Sequence, residues 1–576
     1  STSDVSTPDI NYHIRSANVR AGLDPDFYLD IEPTCAEAEW AAHAAKLLDP
    51  ELENITVARP NKTAVTRCYL ANKKTVIETS TDMLTAAEMD SHRAEVTSAI
   101  VSELQTWLKF KCFKRRPRKE ARNIMDCRWV IKWKLEVLPD GKSRRVIRAR
   151  LTLRGFKDMD AANLERYAGT SQRYSQRLLA SEAANRRWPL VCTDISKAFL
   201  QGVTYEELAQ ITGEPLRDVN FYLPSSSIAA LRTLPGYTDF DPATEVLQSL
   251  KPGTGSVDAP RAFHIKLARV TQRELGFVPS RTDEELLILY IGGTLAGLIC
   301  IHVDDLKITA TPALINRIIG TLERTFGKLV VQWNKFTNCG VRHIQCPTTF
   351  TVTMEQIEYI MALKQMPTKS KAERRVGRGE PSESTDMSTE RGEPSELVDN
   401  QTYEVFRSLR GAAAYCLLTR AEVSVYIVAL QRCQESDTTW QHVKILNQVV
   451  RRLQGKSISL RYAYLGPETC FLVFTDAAFK KEESTGHALK GTAVVRVKHP
   501  GSFSGNVLPT GRNHPCHLVD YLTKRVRNVT RSTFSAELFS LCDACDHAMM
   551  LRVIVHEFQC HILTPAQGRS LREGNL

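Results

Sequence analysis

Apolar and polar residues first follow a regular pattern near residue 93. Val96, Ile100, Leu104 and Leu108 recur every four residues, which places them on one face of a helix. We therefore predict an amphipathic helix over 93–109. The residues before it alternate short apolar patches with Ser, Thr, Asp and Pro, and only 35–48 has the composition of a helix.

Strand-like patterns follow this helix. Apolar and basic residues alternate over 129–135, Asp140-Gly141 is a hairpin turn signal, and 146–153 is predicted to return as the second strand. The longest apolar run, 286–301, has 16 residues with Gly292 and Gly293 in its middle. It is short for a membrane span, so we predict two strands joined by a turn.

Residues 369–399 are almost wholly polar and repeat the sequence Arg-Gly-Glu-Pro-Ser-Glu at 378–383 and 391–396. Nothing in this stretch could bury a core, so we predict a disordered linker. Regular patterns resume after it. They predict helices within 401–454, strands at 470–476 and 491–498, and a helix over 532–558.

Composition narrows the class of protein. At 576 residues the chain is expected to contain three to five folded units. Its 43% hydrophobic and 24% charged residues exclude a disordered or fibrous protein, and its net charge of +11 is a mild indication of an anionic partner. The fifteen cysteines follow no disulfide framework and no secretory signal precedes them, so reduced thiols in an intracellular compartment are expected. Cys542 and Cys545 lack the second pair that a zinc site needs, which favours helix packing.

Two acidic positions carry candidate chemistry. Asp194 ends an apolar stretch and precedes a helix-like segment, where it could be a metal ligand or a helix N-cap. Asp304 and Asp305 lie between two strongly apolar strand-like halves. A turn would favour Asn-Gly or Asp-Gly, and adjacent charges against apolar strands are costly unless a cation neutralises them. The pair therefore favours a metal site.

Carboxylates from different strands suit a two-metal phosphoryl-transfer site. Magnesium prefers oxygen ligands, and two ions about 4 Å apart can activate a 3′ oxygen and stabilise leaving pyrophosphate. Asp194 and Asp304 would bridge both ions, and Asp305 would support them.

The motifs occur in an order that resembles a known family. Val303-Asp304-Asp305 matches a Val-Asp-Asp hairpin that usually follows Tyr, where this chain has His302, and 194–202 matches Asp-Val-x-x-Ala-Phe-Leu-x-Gly. Residues 148–156 and 259–263 match two further blocks. From about residue 93 onward, the chain resembles the reverse transcriptase and RNase H portion of a copia-type LTR retrotransposon polyprotein.

The resemblance implies an α+β fold, a right-hand polymerase with fingers, palm and thumb followed by a truncated RNase H-like domain. It implies an RNA-directed DNA polymerase that uses two Mg²⁺ or Mn²⁺ ions, an RNA or DNA template-primer and deoxynucleoside triphosphates. No membrane partner is expected, and the location is cytoplasmic, within a virus-like particle, or nuclear. The expected organisation is a poorly ordered region 1–92, fingers and palm 93–345, the core end and thumb start 346–368, the linker 369–399, a helical thumb or connection 400–465, and the RNase H-like domain 466–576.

The resemblance also assigns individual residues. Arg150, with Lys132 and Arg148, would bind the triphosphate, although a basic strand face explains them as well. Phe199 would reject ribonucleotides by crowding the 2′ position, unless it is a core aromatic. Ile195 would join the three aspartates as a metal ligand. The turn at Gly340 resembles the one that grips the primer end.

Two departures from the family pattern leave a rival hypothesis open. Residues 252–257 are inserted, and Asp258 stands where the family has Gln near the nucleotide. An acid beside a triphosphate is unfavourable. The rival is a catalytically decayed retroelement remnant that retains only nucleic-acid binding.

The RNase H resemblance rests on Asp476, predicted on a strand, and Glu537, predicted near the start of a helix. They could equally be a turn residue and an ordinary helix acid. The family has a further Asp on a following strand, which is not found before Leu576. Asp543 and Asp546 are expected to point to other helix faces. This unit is therefore expected to be truncated.

Overall fold

The computed structural model describes residues 83–560, with gaps at 138–142, 165–168, 368–395, 479–486, 500–514 and 527–528, and the backbone of two short strands before residue 83. The predicted helix at 35–48, the Asp140-Gly141 turn and most of the predicted linker lie outside the described residues. No helix in the described ranges combines the length and apolar character that crossing a membrane requires.

Helices and strands are numbered here in chain order. The α-helices are α1 (Ala86–Ser91), α2 (Arg93–Lys109), α3 (Arg173–Arg186), α4 (Tyr205–Thr212), α5 (Ile228–Arg232), α6 (Ala259–Ala268), α7 (Pro312–Phe326), α8 (Ile357–Met361), α9 (Asn400–Tyr415), α10 (Ser424–Gln431), α11 (Trp440–Gly455) and α12 (Thr533–Gln559).

The strands form five sheets. They are β1 (Thr66–Tyr69), β2 (Thr75–Thr79), β3 (Phe113–Pro117), β4 (Ile124–Val137), β5 (Ser143–Leu153), β6 (Leu190–Asp194), β7 (Asn220–Tyr222), β8 (Glu245–Ser249), β9 (Val278–Pro279), β10 (Leu286–Ile291), β11 (Thr294–His302), β12 (Asp305–Ala310), β13 (Val330–Trp333), β14 (Lys335–Asn338), β15 (Val341–Gln345), β16 (Val352–Glu355), β17 (Leu460–Tyr462), β18 (Thr469–Ala478), β19 (Leu489–Lys498) and β20 (Cys516–Arg525).

A six-stranded antiparallel sheet, in the order β13-β6-β12-β11-β10-β9, forms the centre of the molecule. Helices cover both of its faces. Cys192 and Cys300 pack with α3 on one face, while Val191 and Ile299 pack with α6 and α7 on the other. Successive strand residues point to opposite faces, so a strand that is buried on both sides must be apolar throughout. This explains the apolar run 286–301, and the prediction of two strands and a turn there is confirmed.

A five-stranded sheet, in the order β3-β8-β7-β4-β5, precedes the central sheet in the chain. The predicted amphipathic helix is confirmed as α2, whose Leu104 and Trp107 are fully buried against this sheet. The strands predicted at 129–135 and 146–153 are confirmed as β4 and β5. Order begins before residue 93, because α1 and its Thr85 capping box lie inside the region that was expected to be poorly ordered.

The later part of the chain forms two further sheets. One has the order β14-β15-β16-β17 and packs with α9, α10 and α11, which confirm the helices predicted within 401–454. The other has the order β18-β19-β20 and carries α12, as predicted. Residues 396–399, at the end of the predicted linker, are ordered, since Val398 is buried and Asp399 caps α9. The architecture is mixed and compatible with the predicted α+β class.

Candidate active site

Three carboxylates lie at one end of the six-stranded sheet. Asp194 ends β6 and Asp305 begins β12, and the two residues are direct partners across the antiparallel pair. His302 and Asp305 are also paired, so Val303 and Asp304 form the two-residue turn between β11 and β12. The sheet register thus brings together Asp194, Asp304 and Asp305, which are up to 111 residues apart in the sequence.

The turn that carries Asp304 is strained and anchored. Val303 has a φ of +61°, which a β-branched residue rarely adopts because of steric clashes. Its N–H donates to the Gly169 carbonyl at 2.9 Å, and Thr170 forms a bridge with His302. On the other side, the Ile195 N–H donates to the Asp304 carbonyl at 3.3 Å. These contacts fix the turn against the end of β6.

Burial and mutual repulsion oppose the charges of this group. Burial raises the pKa of Asp305 to about 7, and the negative charges of Asp304 and Asp194 add to the increase. Burial also raises the pKa of Asp304; Asp194 adds to that rise, whereas a backbone hydrogen bond and the charge of Arg150 oppose it. Carboxylates in this state favour the approach of a cation, because it restores their charged form.

The donor set fits a hard divalent cation in chemistry. The three side chains supply carboxylate oxygens, the ligands that magnesium prefers. Ile195 is fully buried and apolar, so only its backbone carbonyl could join them. Within the described ranges, no group of three or more His, Cys, Asp or Glu side chains is arranged to hold a metal ion as it stands. The carboxylates would therefore have to converge on a bound cation.

A basic face on the β4–β5 hairpin lies next to the carboxylates. In the register of this pair, Lys132 is opposite Arg148 and Val130 is opposite Arg150. Directly opposed residues point to the same side of a sheet, as do residues two apart on one strand. One face therefore carries six cations, while the other packs against α2. The six cations, which we call the basic face, are Arg128, Lys132, Lys134, Arg144, Arg148 and Arg150.

Two features of the basic face bear on ligand binding. Like charges directly opposite each other, such as Lys132 and Arg148, are unfavourable, so an anion bound between them would be stabilised. Arg150 is close enough to Asp304 for its charge to lower the pKa of that carboxyl. The predicted nucleotide-binding residues Lys132, Arg148 and Arg150 thus share one face, and that face borders the carboxylate group.

Phe199 lies in a short 3-10 helix, Ala198–Gln201, that follows Asp194. It is half-buried and packs against the core cluster below the six-stranded sheet. Both interpretations of this residue therefore stay open, because one edge of the ring fills the core while part of it remains accessible. The preceding Lys197 forms an ion pair with the buried Glu103 of α2, which ties this segment to the five-stranded sheet.

Asp258 is paired inside the protein. Only 2% of its surface is exposed, and its carboxylate accepts a hydrogen bond from Arg217. The same guanidinium donates to Asp158 at 2.5 Å and lies over the ring of Tyr205. The expectation that Asp258 would place an unfavourable charge beside a triphosphate therefore has an answer in the structure, since Arg217 neutralises it.

The inserted residues 252–257 are also integrated into the fold. The Leu153 N–H donates to the Thr254 carbonyl at 2.8 Å, and the Gly155 N–H to the Gly255 carbonyl at 3.2 Å. Gly255 has a φ of +93° and lies so close to the backbone of Leu153 that a Cβ would clash with its carbonyl. The insertion thus caps the end of β5.

Gly340 occupies a tight turn between β14 and β15. Cys339 and Gly340 both have positive φ, at +51° and +69°, as a two-residue hairpin turn of type I′ requires. Tyr415 donates to the Cys339 carbonyl at 3.0 Å, and a Cβ at residue 340 would overlap its hydroxyl. Burial raises the pKa of the Cys339 thiol, and the charge of Asp305 contributes to the rise. The turn therefore lies near the carboxylates.

Sequence reasoning missed a buried lysine beneath the site. Lys307, two residues after Asp305, is fully buried and donates to the Gln176 carbonyl at 3.0 Å. Burial lowers the pKa of His302 to about 4, with Lys307 contributing. A lysine between Leu306 and Ile308 in an apolar strand was the available signal. Its partner lies 131 residues away in sequence, so no local pattern could have identified it.

The RNase H candidates lie on neighbouring elements. Asp476 is exposed on β18, and Glu537 is half-buried in the second turn of α12. Ser540, one turn further along, donates to the Asp476 carbonyl at 3.2 Å, which places the two elements side by side. Asp543 forms an ion pair with Lys490 of β19, and Asp546 is exposed.

One side of this C-terminal unit presents apolar surface. Strand β18 is an edge of the three-stranded sheet among the described residues. Large apolar side chains on β18 and α12 are exposed nearby. They are Phe474, Phe534, Leu538, Phe539 and Leu541. Such a patch is larger than single scattered residues, and it lies beside the two candidate acids.

Comparison with known proteins agrees with the motif order. No protein-family model matches the chain. It is 23% identical over 445 residues to the retrovirus-related Pol polyprotein from transposon RE1 of Arabidopsis thaliana, and 21% identical over 446 residues to that from transposon RE2. The chain is related to retrotransposon Pol polyproteins. The predicted resemblance is confirmed at that level.

The relationship covers 77% of this chain but only about a quarter of each Pol polyprotein, 26% and 27% of their lengths. A Pol polyprotein relationship is consistent with catalysis and gives the ordered motifs a common origin. At this identity the individual roles of the carboxylates and of the basic face depend on the geometry described above.

Proposed function

We propose that the chain is the reverse transcriptase region of a copia-type retrotransposon polyprotein, an RNA-directed DNA polymerase. One observation carries the proposal. Asp194, Asp304 and Asp305 meet at the end of neighbouring antiparallel strands, and Arg150 of the basic face is close enough to influence Asp304. Acids and cations placed together in this way can hold a metal–triphosphate complex, whose charges alternate in the same manner.

In this proposal the central sheet is the palm and the five-stranded sheet belongs to the fingers. The helices α9, α10 and α11 contribute the thumb or connection. The turn at Gly340 supports the primer end, since it lies near the carboxylates and is held by Tyr415. The RNA or DNA template-primer follows the basic face, and the chain works in the cytoplasm, within a virus-like particle, or in the nucleus.

The chain's own residues account for binding and orientation. Asp194, Asp304 and Asp305, with the Ile195 carbonyl, would hold magnesium or manganese, which when bound favours the attacking 3′ oxygen and the departure of pyrophosphate. Arg150 would donate charge-assisted hydrogen bonds to the triphosphate, with Arg148 and Lys132 of the basic face beside it. The strained Val303 turn and its contacts keep Asp304 in place before substrate arrives.

The rival hypothesis, a decayed remnant that only binds nucleic acid, loses part of its support. Asp258 is neutralised by Arg217, and the insertion 252–257 caps β5. Both departures from the family pattern therefore have structural explanations that do not involve the carboxylates. The absence of a preformed three-ligand metal group among the described residues is the observation that keeps the rival testable.

The first prediction concerns the carboxylates. Asp194→Asn and Asp304→Asn should each lower single-nucleotide addition on an RNA template by about 10²- to 10³-fold or more, because each removes a charge that stabilises the transition state. The melting temperature in EDTA should not fall, since repulsion is relieved. Magnesium should raise that temperature in the wild type more than in either variant.

The matched control is Asp90→Asn on α1, an exposed acid far from the site in the sheet order. It should extend primers like the wild type. An active Asp304→Asn variant, or a wild type that does not extend any primer, would contradict the proposal and favour the decayed remnant.

The second prediction concerns sugar selection. If Phe199 crowds the 2′ position, Phe199→Val should raise the ratio of ribonucleotide to deoxynucleotide incorporation by on the order of 10- to 100-fold. Phe326→Val, in the same core cluster, should lower stability without changing that ratio. Steady-state incorporation of single nucleotides measures both. An unchanged ratio in the Phe199 variant would leave this residue as a core aromatic.

The third prediction concerns the basic face. Binding of template-primer should weaken log-linearly with salt, and Arg148→Ala should reduce the slope by roughly 0.7–0.9 for one phosphate contact. Among the cations predicted from sequence, Arg115, Arg116 and Arg154 are engaged by acids, so they should contribute less.

Fluorescence anisotropy at several salt concentrations gives the slope. Arg317→Ala, an exposed cation on α7, serves as the control and should not change it. A salt dependence that is flat for the wild type would exclude a phosphate-tracking groove.

The fourth prediction is negative. Two-metal cleavage of an RNA–DNA hybrid needs several converging carboxylates, and Asp543 is already paired with Lys490. With Asp476 and Glu537 as the matched acids, the chain should not degrade the RNA of a labelled hybrid in magnesium or manganese. Cleavage that disappears in Asp476→Asn would show that another acid completes the site.

A further inference from the structure

The three-stranded sheet is fixed to α3 by a buried ion cluster. Asp520 of β20 accepts hydrogen bonds from Arg173 at 2.5 and 2.8 Å, and Arg177 lies 3.5 Å from the same oxygen. Its second oxygen lies 2.9 Å from His547 of α12. Arg173, Arg177 and Asp520 are 6%, 1% and 3% exposed, so the cluster is shielded from solvent.

The two arginines belong to the first turns of α3, and the same end of α3 holds the carboxylate turn. The Ser171 N–H donates to the Ile301 carbonyl at 2.8 Å, and the Gln176 carbonyl accepts from Lys307 at 3.0 Å. Together with the Gly169–Val303 hydrogen bond, these contacts lie on both sides of Asp304. The segment 169–176 therefore supports the turn from one flank.

Each arginine has further contacts that fix its direction. Arg173 donates to the Tyr521 carbonyl at 2.5 Å and lies over the Tyr521 ring at 4.5 Å. Arg177 donates to the Leu418 carbonyl at 2.7 Å. Asp520 is the one carboxylate that both guanidiniums contact in the described ranges. Without it, two buried like charges would repel each other at the start of α3.

We propose that Asp520 is a positioning residue for the carboxylate turn, acting through Arg173 and Arg177 on the segment 169–176. The inference rests on the proposed polymerase function. It assigns the C-terminal sheet a role in polymerisation that does not depend on hydrolysis. Asp520 does not touch the reacting groups; it holds the helix end that holds Asp304.

The test compares single-turnover nucleotide addition by the full chain and by Asp520→Asn. A displaced turn should lower the maximal rate by on the order of 100-fold, as small misplacements of catalytic groups do. The dissociation constant for template-primer should stay the same, because the basic face is untouched. Hydrogen exchange of the peptide covering 299–308 should accelerate, while exchange in β4 and β5 should not.

Glu557→Gln is the matched control. Glu557 is another buried acid of α12, but it contacts Ser280 and Arg281 at the far edge of the central sheet. It should loosen that edge with a much smaller effect on the maximal rate. Equal losses in the two variants would overturn the proposal, because they would reflect loosened docking in general.

If Asp520→Asn does not fold, Arg173→Lys retains the charge and loses the bidentate contact, and it should show the same split between rate and template affinity. An active wild type with an unchanged rate in the folded variants would refute the positioning role alone. A wild type that adds no nucleotide would instead refute the proposed function.

Discussion

Repulsion among three partly buried carboxylates is the constraint on which the centre of this protein depends. An antiparallel register places Asp194 beside Asp305 and leaves Asp304 in the turn, so the chain accepts both burial and like-charge proximity there. Such an arrangement persists only if the surrounding structure fixes it. Strands packed on both faces, the anchored Val303 turn and the 169–176 segment provide that support.

Positive charge answers this repulsion from outside the sheet rather than from within it. Arg150 reaches the group from the β4–β5 hairpin, whereas the buried Lys307 of the sheet itself is directed to the Gln176 carbonyl. The charge that neutralises the carboxylates therefore belongs to separate elements and to ligands. This separation leaves the carboxylates able to respond to a cation or a triphosphate.

Local patterns predicted the parts of the structure that local physics determines. The four-residue spacing of Val96, Ile100 and Leu104 gave the helix, and the paired glycines gave the turn within 286–301, because periodicity and turn chemistry act over a few residues. Long-range pairing was not accessible in this way. The Arg217 partner of Asp258 lies 41 residues away in sequence.

The C-terminal sheet shows why such long-range pairs matter more than their number. Arg173 and Asp520 are 347 residues apart, and Glu182 of α3 is paired with Arg496 of β19 by a second buried contact. Burying charges contributes little net stability, yet removing one partner is strongly unfavourable. Contacts of this kind therefore act mainly as constraints on relative position. Since α3 lies between these ion pairs and the carboxylate turn, the placement of the C-terminal sheet and the geometry of the candidate active site depend on the same helix.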